Sequence, residues 1–366
     1  MILMNDFKSE PSSIREATLA AVERVINSGW YILGKEVETF EQNWSKVCGT
    51  TYGIGVGNGL DAVEISLRAL NVGPGDEVIT TPMTAFATVL AILRAGATPV
   101  LADIEPSTAL LCIDSVSRCL SPRTKAVVLV HLYGQVRNMK SWIDFCATNN
   151  IYLIEDCAQA HLAQWQGKYA GSFGKVGAYS FYPTKNLGAL GDAGMIVTDD
   201  EVLSEKSARL RNYGQSTRYS HPELGMNSRL DELQAAVLTE RLKWLSEFTE
   251  KRQSIASAYY EGLRNPHVMM MECPEELSAH VYHLFVVSCE KRLALQEHLQ
   301  KCGVQTLIHY PIPIHDQTPC HLILRDPNGL FNSEHHAKVC LSLPCHPQML
   351  DNAVEKVIAA VNSFSG

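Results

Sequence analysis

The chain has 366 residues, of which 46% are apolar and 19% are charged, and its formal net charge is -8. This length and balance are typical of a two-lobed enzyme and exclude a disordered chain, while the negative charge argues against a general nucleic-acid-binding protein. No apolar run has membrane-spanning length, the N-terminus has no signal-peptide core, and the eleven cysteines form no CxxC pair, so we expect a cytoplasmic protein with mostly buried thiols.

Apolar runs alternate with helical patterns from residue 52 onward. Strands are predicted at 52–59, 77–82, 98–104, 124–134, 151–161 and 175–186, and helices at 60–70, 84–96 and 139–149. This recurrence predicts an α/β fold with a mainly parallel sheet flanked by helices, whose ligand crevice lies at the carboxyl ends of the strands.

A long helical stretch from residue 230 changes the pattern. It is followed by a predicted strand at 281–289 and helices at 291–303 and 353–364. We therefore expect a large domain over residues 1–240 and a smaller C-terminal α/β domain over residues 241–366.

Lys185 lies just after a predicted strand, in the segment SFYPTKNLGALGDAG. Small residues there let an amine approach a flat cofactor without steric conflict. A solvated surface lysine is the usual interpretation of a single lysine. The alternative is a lysine that forms a Schiff base, which requires partial desolvation so that its pKa falls.

The predicted strand in IYLIEDCAQAH ends with two carboxylates, Glu155 and Asp156. Side chains alternate along a strand, so the two should face opposite ways, and only one should face a given pocket. Asp156 is suited to pair with a pyridine nitrogen, and Gln159 to reach a phenolic oxygen on the same ring. A helix N-cap at Asp156 is an equally open interpretation.

Glycines in GVGNG, residues 55–59, open onto a predicted helix. Their backbone N–H groups, at the positive end of the helix dipole, suit a phosphate, although a tight structural turn is the alternative. Leu60 stands where a dinucleotide fingerprint requires glycine, so that motif is absent. We expect no metal site, because the chain has no CxxC pair and the nearest approach to a metal-ligand pattern is only Cys340, Cys345 and His346.

These segments together resemble the DegT/DnrJ/EryC1/StrS family of sugar aminotransferases, which are fold-type I enzymes dependent on pyridoxal 5'-phosphate. The similarity covers nearly the whole chain. The matching segments are SGWYILGKEVETFE, GNGLDAVEISLRAL, PGDEVITTPMTAFAT, AGATPVLADI, HLYGQ, IEDCAQAH, GSFGKVGAYSFYPTKNLGALGDAG, RNYGQ, MNSRLDELQAAVL and HYPIPIH.

The resemblance implies a role for each matching residue. Lys185 would bind the cofactor aldehyde and move protons, with Asp156 on the pyridine nitrogen. The other implied cofactor contacts are Gly57, Asn58, Gly59, Phe86, Gln159, Ser180 and, from the second subunit of a homodimer with shared active sites, Asn227. The family usually has Thr or Ser at Leu60, so one hydroxyl contact to the phosphate is missing here.

The resemblance also implies that the substrates are L-glutamate and a nucleotide-linked keto sugar. The candidate substrate contacts are His161, Tyr182, Arg229, His309, Tyr310 and His315. Arg229 is the candidate for holding an anionic group and the others for facing the sugar, although Tyr310 could instead pack a domain interface. Arg211, Arg218 and Arg229 are candidates for a positive pocket, with a solvated face as the alternative.

HLYGQ and HYPIPIH favour amination at C3 of a dTDP- or UDP-linked sugar for surface polysaccharide such as lipopolysaccharide O-antigen, or for a glycosylated natural product. C4 amination is the close rival. A dehydratase and a cofactor-binding regulatory homologue are further alternatives, although related dehydratases carry His where this chain has Lys185.

Overall fold

The structure is a computed structural model that describes residues 1–366. It contains twelve α-helices: α1 Ser12–Ser28, α2 Lys35–Cys48, α3 Gly59–Ala69, α4 Phe86–Arg94, α5 Ile113–Cys119, α6 Met139–Asn149, α7 Glu201–Leu210, α8 Glu232–Arg241, α9 Leu245–Gly262, α10 Arg292–Lys301, α11 Phe331–Val339 and α12 Asp351–Asn362. None of these helices is both long and apolar enough to cross a bilayer.

Thirteen strands accompany the helices. They are β1 Tyr52–Val56, β2 Glu77–Thr80, β3 Thr98–Leu101, β4 Thr124–Val130, β5 Tyr152–Asp156, β6 Gln164–Trp165, β7 Lys168–Tyr169, β8 Val176–Ser180, β9 Gly194–Thr198, β10 Met269–Met270, β11 Phe285–Ser288, β12 Leu324–Arg325 and β13 Cys340–Leu343.

An eight-stranded sheet forms the centre of the molecule, in the order β1-β9-β8-β5-β4-β2-β3-β12. The pairs from β8 to β12 are parallel, whereas β9 runs antiparallel to both β8 and β1. The prediction of a mainly parallel sheet is therefore confirmed. Its inner strands are buried on both faces, as the continuous apolar run of β4 indicates.

A second, three-stranded antiparallel sheet has the order β10-β11-β13. Its core includes apolar residues of α9, α10 and α12. The helical stretch predicted from residue 230 is divided into α8 and α9 by a 3-10 turn at Leu242–Trp244. The short strand β12 leaves this part of the chain and pairs with β3 at the edge of the large sheet.

The strands β4, β5 and β8 are parallel, so their carboxyl ends lie on the same side of the large sheet. Asp156 is the last residue of β5, and Ser180 is the last residue of β8. Polar residues that follow these strands therefore gather at one crevice, where α/β sheets bind ligands.

Candidate active site

Lys185 lies in the loop after β8 and is partly buried. Its backbone N–H donates to the carbonyl of Tyr182 (2.8 Å), which makes a tight turn of this loop. Burial lowers the pKa of the Lys185 ammonium to about 8, and the nearby Asp156 carboxylate opposes this shift. The side chain is thus a partly desolvated amine beside a carboxylate, and a usable fraction of it is neutral near pH 7.5.

Asp156 is 8% exposed, and its carboxylate oxygens have positions left to accept further hydrogen bonds. Its Oδ2 accepts from the Thr88 hydroxyl (2.8 Å), and its Oδ1 accepts from the backbone N–H of Ala158 (3.2 Å). A carboxylate has about four acceptor positions, so further donors can bind. Residues 157–163 form turns and not an α-helix, so the helix N-cap interpretation of Asp156 does not apply.

Glu155, the preceding residue, is fully buried and saturated with hydrogen bonds. Its carboxylate accepts from the backbone N–H groups of Gly171 (2.8 Å), Phe173 (2.8 Å) and Gly174 (2.7 Å), and it bonds His131 Nε2 (2.8 Å). These partners differ completely from those of Asp156, as the alternation along a strand predicts. Glu155 therefore fixes β5 to the 171–174 loop and has no role left in ligand binding.

Gln159 is held at both ends of its side-chain amide. Its Oε1 accepts from the backbone N–H of Tyr133 (2.6 Å), and its Nε2 donates to the hydroxyl of Tyr310 (3.3 Å). Burial, with the nearby Asp156 charge, raises the pKa of Tyr310 to about 12. The predicted residues Gln159 and Tyr310 are thus in contact, and both lie on the Asp156 side of the crevice.

His309 lies two residues after Leu307, which forms an isolated bridge with Ser342 of β13. Its Nδ1 hydrogen-bonds the hydroxyl of Ser342 on β13 (2.8 Å). Burial and the positive charge of Lys185 lower the pKa of His309 to about 4. The imidazole is therefore neutral at physiological pH, and it lies close enough to Lys185 for the ammonium charge to disfavour its protonation.

The GNG turn at residues 57–59 packs directly on Ser180. A Cβ added to Gly59 would lie 2.5 Å from the Ser180 Cβ, so this contact requires glycine. Asn58 caps α3 through its Oδ1, which accepts from the backbone N–H of Asp61 (2.9 Å). The Ser180 hydroxyl is thereby brought to the N-terminus of an eleven-residue helix, an arrangement that suits an anion.

Two predicted sugar contacts are inaccessible in this structure. His161 is 0% exposed among aromatic rings, and its two ring nitrogens bond the Ser180 carbonyl (3.0 Å) and the Leu187 backbone N–H (3.1 Å). His315 is 2% exposed, and its Nε2 lies 3.4 Å from the Glu334 carboxylate. The expectation that these histidines touch a sugar does not agree with their burial. His161 instead stabilises the Lys185 loop.

The other predicted residues are accessible but more widely distributed. Phe86 and Tyr182 are exposed, at 36% and 52%, and Asn227 is exposed as well. The guanidinium of Arg229 lies 5.1 Å from the ring centroid of Tyr213.

The three predicted arginines do not form a free positive pocket. Arg211 is an ion-pair partner of Glu41, whereas Arg218 lies over the ring of the neighbouring Tyr219. Arg229 also donates to the side-chain oxygen of Asn212 (3.2 Å).

Several residues of this region were not singled out from the sequence. Thr88 contacts Asp156, Tyr133 contacts Gln159, and His131 contacts Glu155. His131 and Tyr133 lie in the HLYGQ segment directly after β4. Polar contacts are expected there, at the carboxyl end of a parallel strand. Thr84, just before α4, and Thr88, in its first turn, were the available signal for Thr88.

Comparison with known proteins supports one interpretation of this geometry. The sequence profile of the DegT/DnrJ/EryC1/StrS aminotransferase family matches residues 12–362. The chain is 45% identical over 346 residues to dTDP-3-amino-3,6-dideoxy-alpha-D-galactopyranose transaminase of Aneurinibacillus thermoaerophilus, with 94% of each chain covered. It is 40% identical to dTDP-3-amino-3,4,6-trideoxy-alpha-D-glucose transaminase of Streptomyces venezuelae, over 98% of this chain and 95% of that protein.

A solved structure agrees with the same interpretation. The crystal structure of NtdA from Bacillus subtilis, with bound cofactor PMP, has a TM-score of 0.89 and 30% sequence identity to this chain. The similarity covers 96% of this chain and 82% of that one.

Proposed function

Because the chain belongs to the DegT/DnrJ/EryC1/StrS aminotransferase family, we propose that it transfers the amino group of L-glutamate to C3 of a dTDP- or UDP-linked keto-deoxysugar. The enzyme is an aminotransferase that depends on pyridoxal 5'-phosphate. The observation that carries the proposal is a partly buried Lys185 that lies close enough to Asp156, the last residue of β5, for the Asp156 carboxylate to act on the Lys185 pKa.

The residues of the crevice fit this cofactor. Lys185, with a pKa of about 8, suits the cofactor aldehyde, and the buried Asp156 carboxylate, with free acceptor positions, suits the ring nitrogen. The Ser180 hydroxyl, at the N-terminus of α3, suits the phosphate. The cofactor supplies an acceptor for the amino group and a ring that withdraws electrons from the reacting carbon. We propose that Asp156 binds the ring nitrogen, that Gln159 faces the ring hydroxyl and that Phe86 lies against the ring.

We propose that the phosphate is held by the backbone N–H groups of the Gly57–Asn58–Gly59 turn and by the Ser180 hydroxyl. The close packing of Gly59 on Ser180 supports this assignment. Leu60 provides no hydroxyl at the start of α3, so backbone donors and Ser180 replace that contact.

Lys185 is the proposed acid and base at its Nζ atom. A pKa of about 8 would let this amine both accept and return a proton near neutral pH, as an acid and base of the reaction must. We propose that neutral His309 and the hydroxyl of Tyr310, which bonds Gln159, contact the sugar. The exposed Tyr182 and the half-buried Arg229 are the candidates for the nucleotide side.

C3 amination is favoured over C4 amination because both curated relatives named above are transaminases of 3-amino sugars. A biosynthetic role in surface polysaccharide or a glycosylated natural product, in the cytoplasm, completes the proposal. Eight of the eleven cysteines are buried free thiols, which suits a reducing compartment.

A substrate screen tests the proposed reaction. Purified enzyme loaded with cofactor is incubated with glutamate and with 3-keto and 4-keto dTDP- and UDP-sugars, and 2-oxoglutarate is measured. The proposal expects release of 2-oxoglutarate that requires a 3-keto sugar. Faster turnover with a 4-keto sugar would contradict the C3 assignment, whereas sugar conversion without 2-oxoglutarate would indicate a dehydratase.

We also propose a homodimer in which Asn227 completes the phosphate site of the partner subunit. An open cavity of about 1030 Å³ lies between α1, α2 and Arg211. The exposed Trp30 borders this cavity and Tyr31, the next residue, is exposed as well, which supports an interface there. A mixture of the inactive variants Lys185→Ala and Asn227→Ala should recover about one quarter of wild-type activity, because mixed dimers of a shared-site enzyme contain one intact site. No recovery would show that Asn227 acts within its own chain.

A further inference from the structure

Two buried hydroxyl groups connect α4 to Asp156. The Thr88 Oγ1 lies 2.8 Å from Asp156 Oδ2 and 2.9 Å from Thr84 Oγ1. Thr84 and Thr88 are only 4% and 2% exposed. The three side chains form a chain of hydrogen bonds that is shielded from solvent.

The direction of donation in this chain follows from elementary chemistry. An ionised carboxylate can only accept, so the single hydroxyl proton of Thr88 must point to Asp156. Thr88 then accepts the proton that Thr84 donates. Hydrogen bonds in such a series polarise one another, and each stabilises the negative charge at its end.

Thr88 differs from other buried threonines of this chain in its choice of partner. Thr18 and Thr249 donate to the backbone carbonyl four residues earlier in their helices, at 2.7 Å and 2.8 Å. This is the ordinary bond of a helical threonine. Thr88 instead bonds two side chains, one of which belongs to a different element of the fold.

We propose that Thr88, supported by Thr84, is a positioning residue that fixes the orientation of Asp156 and maintains its negative charge toward the cofactor ring nitrogen. The inference rests on the proposed function, in which Asp156 binds that nitrogen. With Thr88 on Oδ2 and the Ala158 N–H on Oδ1, the carboxylate plane cannot rotate freely. The remaining acceptor positions keep a fixed direction, which a planar ring with one N–H group requires.

Loss of the Thr88 hydroxyl should make Asp156 a stronger base, because a donor to its charged form is removed. The proton shared between Asp156 and the ring nitrogen then moves toward Asp156. The ring becomes a weaker electron acceptor, although Asp156 itself is still present.

The test uses the complete enzyme loaded with pyridoxal phosphate that is labelled with ¹⁵N in the ring, and it measures the ¹⁵N chemical shift by solid-state NMR. Thr88→Val, which preserves shape, should move the signal from the protonated toward the unprotonated pyridine position. Thr88→Ser should restore it. Thr84→Val should cause a smaller shift of the same sign, because it acts one bond further away.

A matched control is Thr80→Val on β2. Thr80 is equally buried, but its hydroxyl donates to the carbonyl of Val128 (2.9 Å) and does not contact Asp156. This variant should leave the ring signal unchanged. Cofactor affinity gives a second measurement, and Thr88→Val should weaken it about tenfold, because Asp156 would no longer be held in the orientation that the ring nitrogen requires.

The outcomes separate the two proposals. If the wild-type ring is protonated and Thr88→Val leaves it so, or if Thr80→Val has an equal effect, the role of Thr88 is refuted. If the wild-type ring is not protonated, the role of Asp156 fails. If Thr88→Val does not fold, Thr84→Val decides the question, because it leaves Thr88 in place.

Discussion

Replacing Asp156 by asparagine should make Lys185 easier to deprotonate. With a pKa of about 8 in the cofactor-free protein, roughly a quarter of the Lys185 amines are neutral at pH 7.5, against about one in a thousand at the ordinary pKa of 10.5. The Asp156 carboxylate raises this pKa, whereas burial lowers it. Asp156→Asn removes the negative charge, so the pKa of Lys185 should fall below 8.

The measurement is the pH dependence of the reaction of Lys185 with a limiting amine-selective reagent, read by mass spectrometry of the peptide that contains it. The exposed Lys46 provides an internal reference for the reagent. Wild-type protein without cofactor should show a midpoint near 8, and Asp156→Asn a lower one. A wild-type midpoint near 10.5, or a rise in the variant, would refute the argument that burial and Asp156 oppose each other at this amine.

Three other substitutions test separate parts of the site. Lys185→Ala should abolish transamination and remove the adduct that borohydride traps on the Lys185 peptide, while circular dichroism stays unchanged; a trapped adduct elsewhere would identify a different lysine. Glu155→Gln should lower the free energy of unfolding in urea by about 3 kcal/mol, because its amide NH2 would face donors that now bind a buried carboxylate; an unchanged midpoint would contradict this role. Gly59→Ala places a Cβ 2.5 Å from the Ser180 Cβ and should weaken cofactor binding at least about tenfold, whereas Gly73→Ala, whose nearest contact is 3.3 Å, should not.

The central sheet could be predicted because its strands are apolar runs separated by helical patterns. The opposite environments of Glu155 and Asp156 also followed from the period of a strand. The two-residue strand β12 could not be predicted, because so short a segment has no periodicity and pairs with β3 across more than 200 residues. The antiparallel strand β9 was missed for a different reason: it is a five-residue buried run without alternation, and it follows a glycine-rich loop.

The site was predictable where a regular element fixes direction and not where the chain turns irregularly. His161 lies five residues after Asp156 in a series of turns, so no periodicity indicated that its ring points into the aromatic core. Contacts made by Thr88 depend on how α4 packs across the end of β5, which is a tertiary property. Sequence spacing alone does not contain that information.

The difference between the two adjacent carboxylates explains how one strand end serves both stability and chemistry. Glu155 has four hydrogen-bond partners within the protein, so its charge needs nothing from a ligand. Asp156 has two neutral donors, and the Lys185 ammonium is the cation that interacts with it. A cationic ring nitrogen at Asp156 would neutralise the charge that now favours protonated Lys185. Cofactor binding should therefore lower the pKa of Lys185 further and release its amine for the reaction, so that one carboxylate couples recognition of the ring to activation of the lysine.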